Sequence, residues 1–246
     1  MRHITVGDIH GCIEEFKALL DQVKYRPGED DLILLGDLLD RGPDPAAVVR
    51  FAREQQARCI RGNHEETAIR WRRHEQCAKN VKNYKNPMKP KTSDRLAQWE
   101  AIPEEDWKWI ASLPNYIVFE KDRVAVHAGC MPGVPIDKQE PRHLNRLRYV
   151  HNETGEMVAF NGSDEGIPGT MWYDLWKGPE TVVFGHITSS EIIVGKYEKA
   201  IGIDTGCYGG GHLTAAIFQD ANLERFEQVR AKQVYFPGHL SWASEG

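Results

Sequence analysis

The chain has 246 residues, 41% of them hydrophobic, and a formal net charge of −5. That length allows one large domain or two small ones, with ample apolar material for a continuous core. The mild charge points to neither nucleic acid nor a membrane surface, and no apolar run approaches the roughly 18 residues of a bilayer-spanning helix. The start of the chain carries no apolar signal region. Its five cysteines (Cys12, Cys59, Cys77, Cys130, Cys207) are scattered, with no CxxC pair. They read as reduced thiols of a cytoplasmic protein, neither a disulfide framework nor a zinc ribbon.

Ile4-Thr5-Val6 reads as the end of a strand and empties into Gly7-Asp-Ile-His-Gly11. The flanking glycines allow a tight turn that projects Asp8 and His10 from the strand tip. Ile13, Phe16, Leu19, Leu20 and Val23 recur at helical spacing and predict a helix over 13–25, broken by Pro27-Gly28. Leu32-Ile-Leu-Leu35 is unbroken apolar sequence, the pattern of a strand buried on both faces, and it leads into Gly36-Asp-Leu-Leu-Asp-Arg-Gly42. A second helix is expected over about 44–56, with Asp44 as N-cap and Pro45 in the first turn. Cys59-Ile60 is a brief third strand ending in Arg61-Gly-Asn-His-Glu65. Three successive β-to-α turns therefore carry charged or metal-competent residues, at the strand ends where open α/β sheets bind ligands.

A helix starts near Glu65, and from Arg70 to Arg95 nine Lys/Arg face two acidic residues, with prolines at 87 and 90. Residues 79–92 read as a basic surface loop or flap within one fold, because parts of that fold lie on both sides of it. Helical patterns resume over 93–101 and after Pro103, where Glu104-Glu-Asp106 suits a helix N-terminus. Ile117-Val-Phe119 and Val124-Ala-Val126 read as strands, the second ending in His127-Ala-Gly129. Residues 130–170 are loop-rich, with Arg142, Arg146 and Arg148 gathered around His143 and Tyr149. Thr181-Val-Val-Phe184 is a strand ending in Gly185-His186, Ala200-Ile-Gly-Ile203 runs into Asp204-Thr-Gly206, and further strands are expected at 213–218 and about 222–229. This order predicts an α/β fold over 1–246 as a single domain, two sheets meeting in one sandwich.

Asp8, His10, Asp37, Asp40, Asn63, His64, His127 and His186 each follow an apolar run by a residue or two, and most abut glycine. Any one of them would pass as an ordinary turn residue. Eight at successive strand tips would not. Mixed Asp, Asn and His donors without a thiolate suit manganese, iron or zinc, whereas a site for magnesium alone rarely uses three imidazoles.

These blocks in this order (Gly7-Asp-Ile-His-Gly11, Gly36-Asp-Leu-Leu-Asp-Arg-Gly42, Gly62-Asn-His-Glu65, His127-Ala-Gly129, Gly185-His186) resemble the PPP (calcineurin-like) metallophosphoesterases. The resemblance spans essentially the whole chain outside the basic segment. It implies a calcineurin-like αββα sandwich, two mixed β-sheets flanked by helices. It also implies two divalent metal ions, manganese first and iron or zinc as alternatives, with Asp8 and His10 on the first, Asp37 bridging, and Asn63, His127 and His186 completing the second. Such a pair, about 3.5–4 Å apart, activates a water and clamps phosphoryl oxygens, for which a bridging carboxylate is the natural spacer. His64 would protonate the leaving oxygen, with Asp40 holding its other ring nitrogen. Arg41 and Arg61 would fork onto phosphate oxygens.

Leu144-Asn-Arg-Leu-Arg-Tyr149, Trp172-Tyr-Asp-Leu-Trp-Lys-Gly178 and Ile203-Asp-Thr-Gly-Cys-Tyr-Gly-Gly210 are similar to the symmetrical dinucleoside tetraphosphatase branch and its decapping relatives. That similarity implies Arg148 as a further phosphate ligand, with Arg146 equally placed by spacing. The basic residues of 70–95 would serve several adjacent phosphates, or else form a solvated face. Tyr84, Tyr149, Trp172 and Tyr173 are candidates for stacking a base, against ordinary packing. The first expectation is a two-metal hydrolase that cuts diadenosine tetraphosphate into two ADP. The alternative is a Ser/Thr phosphoprotein phosphatase. A non-catalytic phosphate- or RNA-binding module ranks third, because a pure binder needs neither His64 nor Asp40. The partners expected are accordingly a nucleotide polyphosphate, a phosphorylated protein, or an RNA cap or end, and no membrane.

Overall fold

The computed structural model describes residues 1–240 apart from Asn161, Ser163, Ala221 and His239. The first half alternates strand and helix: β1 (Arg2–Val6), α1 (Ile13–Gln22), β2 (Asp31–Leu34), α2 (Pro45–Glu54), β3 (Arg58–Cys59) and α3 (Asn63–Asn80), followed by α4 (Ser93–Glu100) and α5 (Glu104–Ser112). The second half runs β4 (Tyr116–Glu120), β5 (Arg123–Val126), α6 (Pro141–Arg146), β6 (Tyr149–His151), β7 (Gly169–Met171) and α7 (Trp172–Leu175). It closes with β8 (Thr181–Phe184), β9 (Ile193–Val194), β10 (Ala200–Gly202), β11 (His212–Gln219) and β12 (Asn222–Arg230).

Two five-stranded sheets result, ordered β12-β11-β1-β2-β3 and β4-β5-β8-β10-β9. Each has three parallel strands (β1, β2, β3; β5, β8, β10) joined to antiparallel ones, on one side in the first sheet and on both sides in the second, so both sheets are mixed. The unbroken apolar runs follow from burial on both faces. Leu32 and Leu34 of β2 point to the helices, in a core shared with Phe16, Leu19 and Val49, while Ile33 and Leu35 point the other way. The second sheet mirrors this: Val183 and Ile201 face the first sheet, and Val182 and Phe184 pack on Trp172 and Trp176 outside. The layers are therefore helix, sheet, sheet, helix, the αββα sandwich expected.

Boundaries shift where local chemistry decides. α1 stops short of the predicted 25 because Lys24 takes a left-handed φ of 52°. α2 begins where Asp44 accepts the Ala47 N–H at 2.9 Å. α3 runs to Asn80, deep into the basic segment, although it buries only Glu65 and Ala68. A helix so exposed carries no clear apolar stripe, yet its Glu, Arg, Gln, Ala and Lys residues are good helix formers. Exposed non-helical chain then occupies 81–92. The short strands β6, β7 and β9 went unpredicted, since two or three residues hold no periodicity.

Candidate active site

The parallel strands of both sheets end on the same edge of the sandwich, and the site residues hang from those ends. Several turns there are left-handed: φ is 45° at His10, 48° at Asp37, 68° at Asp40 and Arg41, and 61° at His186. Such backbone costs energy in non-glycine residues and clusters at sites that the surroundings over-determine. Two glycines make the close approach possible. A Cβ on Gly185 would overlap the Asp8 carboxylate, and one on Gly62 would overlap that of Asp37.

Glu65 organises the turns around Asp37. Fully buried, its carboxylate accepts the backbone N–H groups of Asp37 (2.8 Å), Leu38 (2.9 Å), Leu39 (3.1 Å) and Gly62 (2.9 Å). Burial and the neighbouring Asp37 push its carboxyl up to about 8 against those four donors.

Asp37 lies at the centre. Its Oδ2 is 3.5 Å from His10 Nε2 and 3.8 Å from His64 Nε2, and its Oδ1 is 3.4 Å from His127 Nε2. His186 joins Asp37 and His127 in a second group whose ligand atoms lie within 4.8 Å of one another. Asp8 accepts the His186 N–H on both oxygens at 3.1 Å. One carboxylate thus faces imidazoles on two sides, as a bridging ligand does.

The donor set fits divalent cations. His10 Nδ1 donates to the Leu39 carbonyl at 2.7 Å and His127 Nδ1 to that of Leu35 at 2.8 Å, which leaves both Nε2 lone pairs aimed inward. His127 Nε2 then meets the Asn63 Oδ1 at 2.9 Å, two acceptors that a cation would reconcile. Burial lowers the pKa of His10, His127 and His186 and keeps them neutral, the form that binds metal. Burial, Asp204 and Asp37 raise Asp8 well above the usual carboxylate range, so a local positive charge would relieve the crowd of carboxylates.

His64 stands beside this cluster. Its Nδ1 is 2.5 Å from Asp40 Oδ2, and its ring crosses that of His10 edge-on at 4.7 Å. Asp40 receives two more donors, Arg95 Nη2 on Oδ2 and Trp99 Nε1 on Oδ1 at 2.8 Å. Burial alone would raise Asp40, but His64 and Arg95 outweigh it and hold its pKa low.

The arginines divide. Arg41 stacks over Tyr208 at 4.2 Å, with Nη1 3.0 Å from His10 Nε2. Arg148 lies over Phe160 at 4.6 Å and donates to the His186 carbonyl at 3.0 Å. Both line a cavity of 390 Å³ together with Asp8, Asp37, Asn63 and His186. Arg61 departs from expectation: its guanidinium turns away and donates to the Ala111 carbonyl at 2.7 Å. Ala111 is in the last turn of α5, where unpaired carbonyls and the negative end of the helix dipole draw a cation. Arg146 is likewise engaged elsewhere, on Glu66 at 3.1 Å and Thr67 at 3.2 Å.

The proposed base-stacking residues are not at the cavity either. Trp172 is fully buried, Tyr173 packs on Phe184, Tyr84 stacks on His74, and Tyr149 donates to Asp164 at 2.8 Å. Tyr208 and Phe160 line it instead. Tyr208 lay inside a block singled out above, and Phe160 carried no local signal. Asp204, Arg95 and Trp99 were also missed as site residues, as was the buried Cys12-Glu15-Cys207 cluster behind the site.

A calcineurin-like phosphoesterase family model matches residues 1–239. The chain belongs to that family. It is a hydrolase of phosphoric esters or anhydrides built around a dinuclear divalent-metal centre. The chain is 30% identical to a symmetrical bis(5'-nucleosyl)-tetraphosphatase of Erwinia tasmaniensis, over 95% of this chain and 100% of that one. A crystal structure assigned provisionally as a diadenosine tetraphosphatase superposes with a TM-score of 0.75 at 29% identity, covering 94% of this chain and 93% of the other. A protein serine/threonine phosphatase from Saccharomyces cerevisiae matches with a TM-score of 0.56 at 12% identity, over 95% and 81% of the two chains, a likeness of fold alone. Among the described residues no helix is long and apolar enough to cross a membrane.

Proposed function

We propose that this phosphoesterase hydrolyses symmetrical dinucleoside tetraphosphates, cutting diadenosine tetraphosphate into two ADP. Asp8, His10, Asp37, Asn63, His127 and His186 would hold its two ions, manganese suiting this mixed nitrogen and oxygen set. The carrying observation is the wall of the cavity over the ligand cluster, where two guanidiniums are each backed by an aromatic ring: Arg41 on Tyr208 and Arg148 on Phe160. A phosphoserine or phosphothreonine side chain brings one phosphate and no ring to such a wall, whereas a nucleotide polyphosphate brings several adjacent phosphates and a base. The tetraphosphatase of Erwinia tasmaniensis, matched from end to end, supports the same substrate class.

When bound, the ions supply Lewis-acid polarisation of the phosphoryl group and activation of the attacking water. The chain's own residues do the rest. Arg41 and Arg148 bind phosphate oxygens and spread the charge that develops on them. His64, its Nδ1 fixed by Asp40, presents Nε2 toward the centre and gives its proton to the leaving oxygen. Arg95 and Trp99 keep Asp40 in place, so the imidazole cannot turn.

Manganese-loaded protein incubated with diadenosine tetraphosphate should release ADP alone when the products are separated. AMP plus ATP would contradict symmetrical cleavage. No turnover, beside fast turnover of a phosphoserine peptide, would replace this reading with a protein phosphatase.

A further inference from the structure

The centre opens onto two cavities. The second, of 780 Å³, starts at His64, Asp40 and Arg41 and runs along residues 89–92, the end of the 81–92 loop. Lys89, Lys91 and Arg95 line it, together with Tyr235 and Phe236 from the C-terminal segment. Four of the metal-ligand candidates, Asp8, Asp37, Asn63 and His186, line the first cavity, while His64 lines only the second.

That division assigns a direction. A proton donor must reach the leaving oxygen within a hydrogen bond, so whatever that oxygen carries extends to the His64 side. The phosphoryl group under attack remains at the ligand cluster with Arg148. The second cavity suits the chemistry of the leaving half. Arg95 is largely engaged, its guanidinium on Asp40 and over Trp99 at 4.8 Å. Among the described residues, Lys89 and Lys91 form no ion pair with a carboxylate, although Lys91 lies 5.8 Å over the Trp71 ring. Burial, and then repulsion from Arg95, lower the pKa of Lys91, a cation set among cations. Phe236 is 43% exposed and lines the same cavity. Two carboxylates line it: Asp40, held by His64 and Arg95, and Asp94, which accepts from Ser93 at 3.3 Å.

We propose that this second cavity is the leaving-group subsite and takes a nucleoside diphosphate, with its phosphates on Lys89 and Lys91 and its base against Phe236. The proposal rests on the tetraphosphatase reading and adds which side each half occupies. Water oxygen forms the new P–O bond at the phosphoryl group held by the ligand cluster, and the central bridging P–O bond breaks. His64 delivers the proton to the departing diphosphate, so one water is consumed and two nucleoside diphosphates leave. The end of the basic loop, residues 89–92, thereby becomes part of the substrate site.

The test compares two substrates on the metal-loaded full chain: diadenosine tetraphosphate, and p-nitrophenyl phosphate, whose leaving group carries no phosphate. Lys89→Ala/Lys91→Ala should lower the ratio of their kcat/KM values by roughly tenfold or more, mostly through KM for the dinucleotide, as expected for lost charge-assisted contacts. Phe236→Ala should lower the same ratio by a smaller factor. An unchanged ratio in the lysine variant, whether both rates hold or fall together, overturns the subsite while leaving the tetraphosphatase reading intact. Wild-type protein that cleaves p-nitrophenyl phosphate but not the dinucleotide overturns both.

Discussion

The two sheets share a plan, three parallel strands joined to antiparallel ones, yet they hold their site residues differently. In the first sheet the turns after β1 and β2 are stitched to each other: the His10 N–H donates to the Asp37 carbonyl at 2.8 Å and the Gly11 N–H to that of Leu38 at 2.9 Å. The carboxylate of Glu65 then gathers four further N–H groups from the turns after β2 and β3. In the second sheet His127 and His186 are tied by one backbone contact, Gly185 N–H to the His127 carbonyl at 2.8 Å, and His186 leans on Asp8 across the sandwich. The first sheet supplies a self-supporting frame that carries Asp37 and His64, the proposed bridging carboxylate and acid. The second docks two imidazoles onto it. Damage should therefore be graded by sheet.

The largest effect belongs to Asp37. Asp37→Ala should lower kcat roughly 10⁴-fold and strip both ions, while His186→Ala should cost roughly 10²-fold and leave one of them. Steady-state kinetics beside elemental analysis of metal per chain would read this, and equal losses would break the comparison.

Next comes Glu65. Glu65→Ala leaves four N–H groups without their acceptor and should destabilise the metal-free protein by roughly 3 kcal/mol, a fall in Tm of about 6–12 °C for a chain of this size. Thr188→Val, which removes the 2.7 Å bond to Asp204 in the second half, should cost only about 1 kcal/mol. Thermal melts after chelation measure both, and a Thr188 variant as unstable as the Glu65 variant would mean that the frame is shared.

The smallest effect is a dependence on pH, remote from the centre. Asp30 binds Arg2 of β1 at 2.5 Å and accepts the Arg26 N–H at 2.8 Å. Burial works to raise its pKa, but these partners prevail and hold it below the ordinary aspartate value. A carboxyl depressed in the folded state stabilises above its unfolded pKa of about 3.9, and that contribution is lost as pH falls through the lower folded value. The gap in urea midpoint between wild type and Arg2→Gln should thus be constant from neutral pH down to the aspartate range and shrink below it. A gap that instead widened on acidification would reverse the assigned sign.

Much of the centre was legible in the chain because its chemistry is local. An apolar run long enough for a strand, a glycine, and an Asp or His one residue later together determine a strand tip and what it presents. Asp8, Asp37 and His186 follow that pattern, and His10, Asp40, Asn63, His64 and His127 lie close to them in the structure. What sequence missed lies with long or distant side chains. Arg61 sits one residue from Gly62, yet its guanidinium is drawn to the end of α5. Arg146 and Arg148 are two positions apart and part company: one pairs with Glu66 on α3 and the other lines the cavity.

By itself, then, the sequence determined the sandwich, the order of its strands' tips and the types of donor they carry, since these depend on periodicities of a few residues. Only the tertiary structure decided that Arg95 and Trp99 brace Asp40 across more than fifty residues, that Tyr208 and Phe160 rather than the expected aromatics face the substrate cavity, and that His64 opens on a second cavity walled by lysines. The reason is packing. A side chain's position along the chain fixes the face from which it starts, and the elements packed against that face decide where it ends.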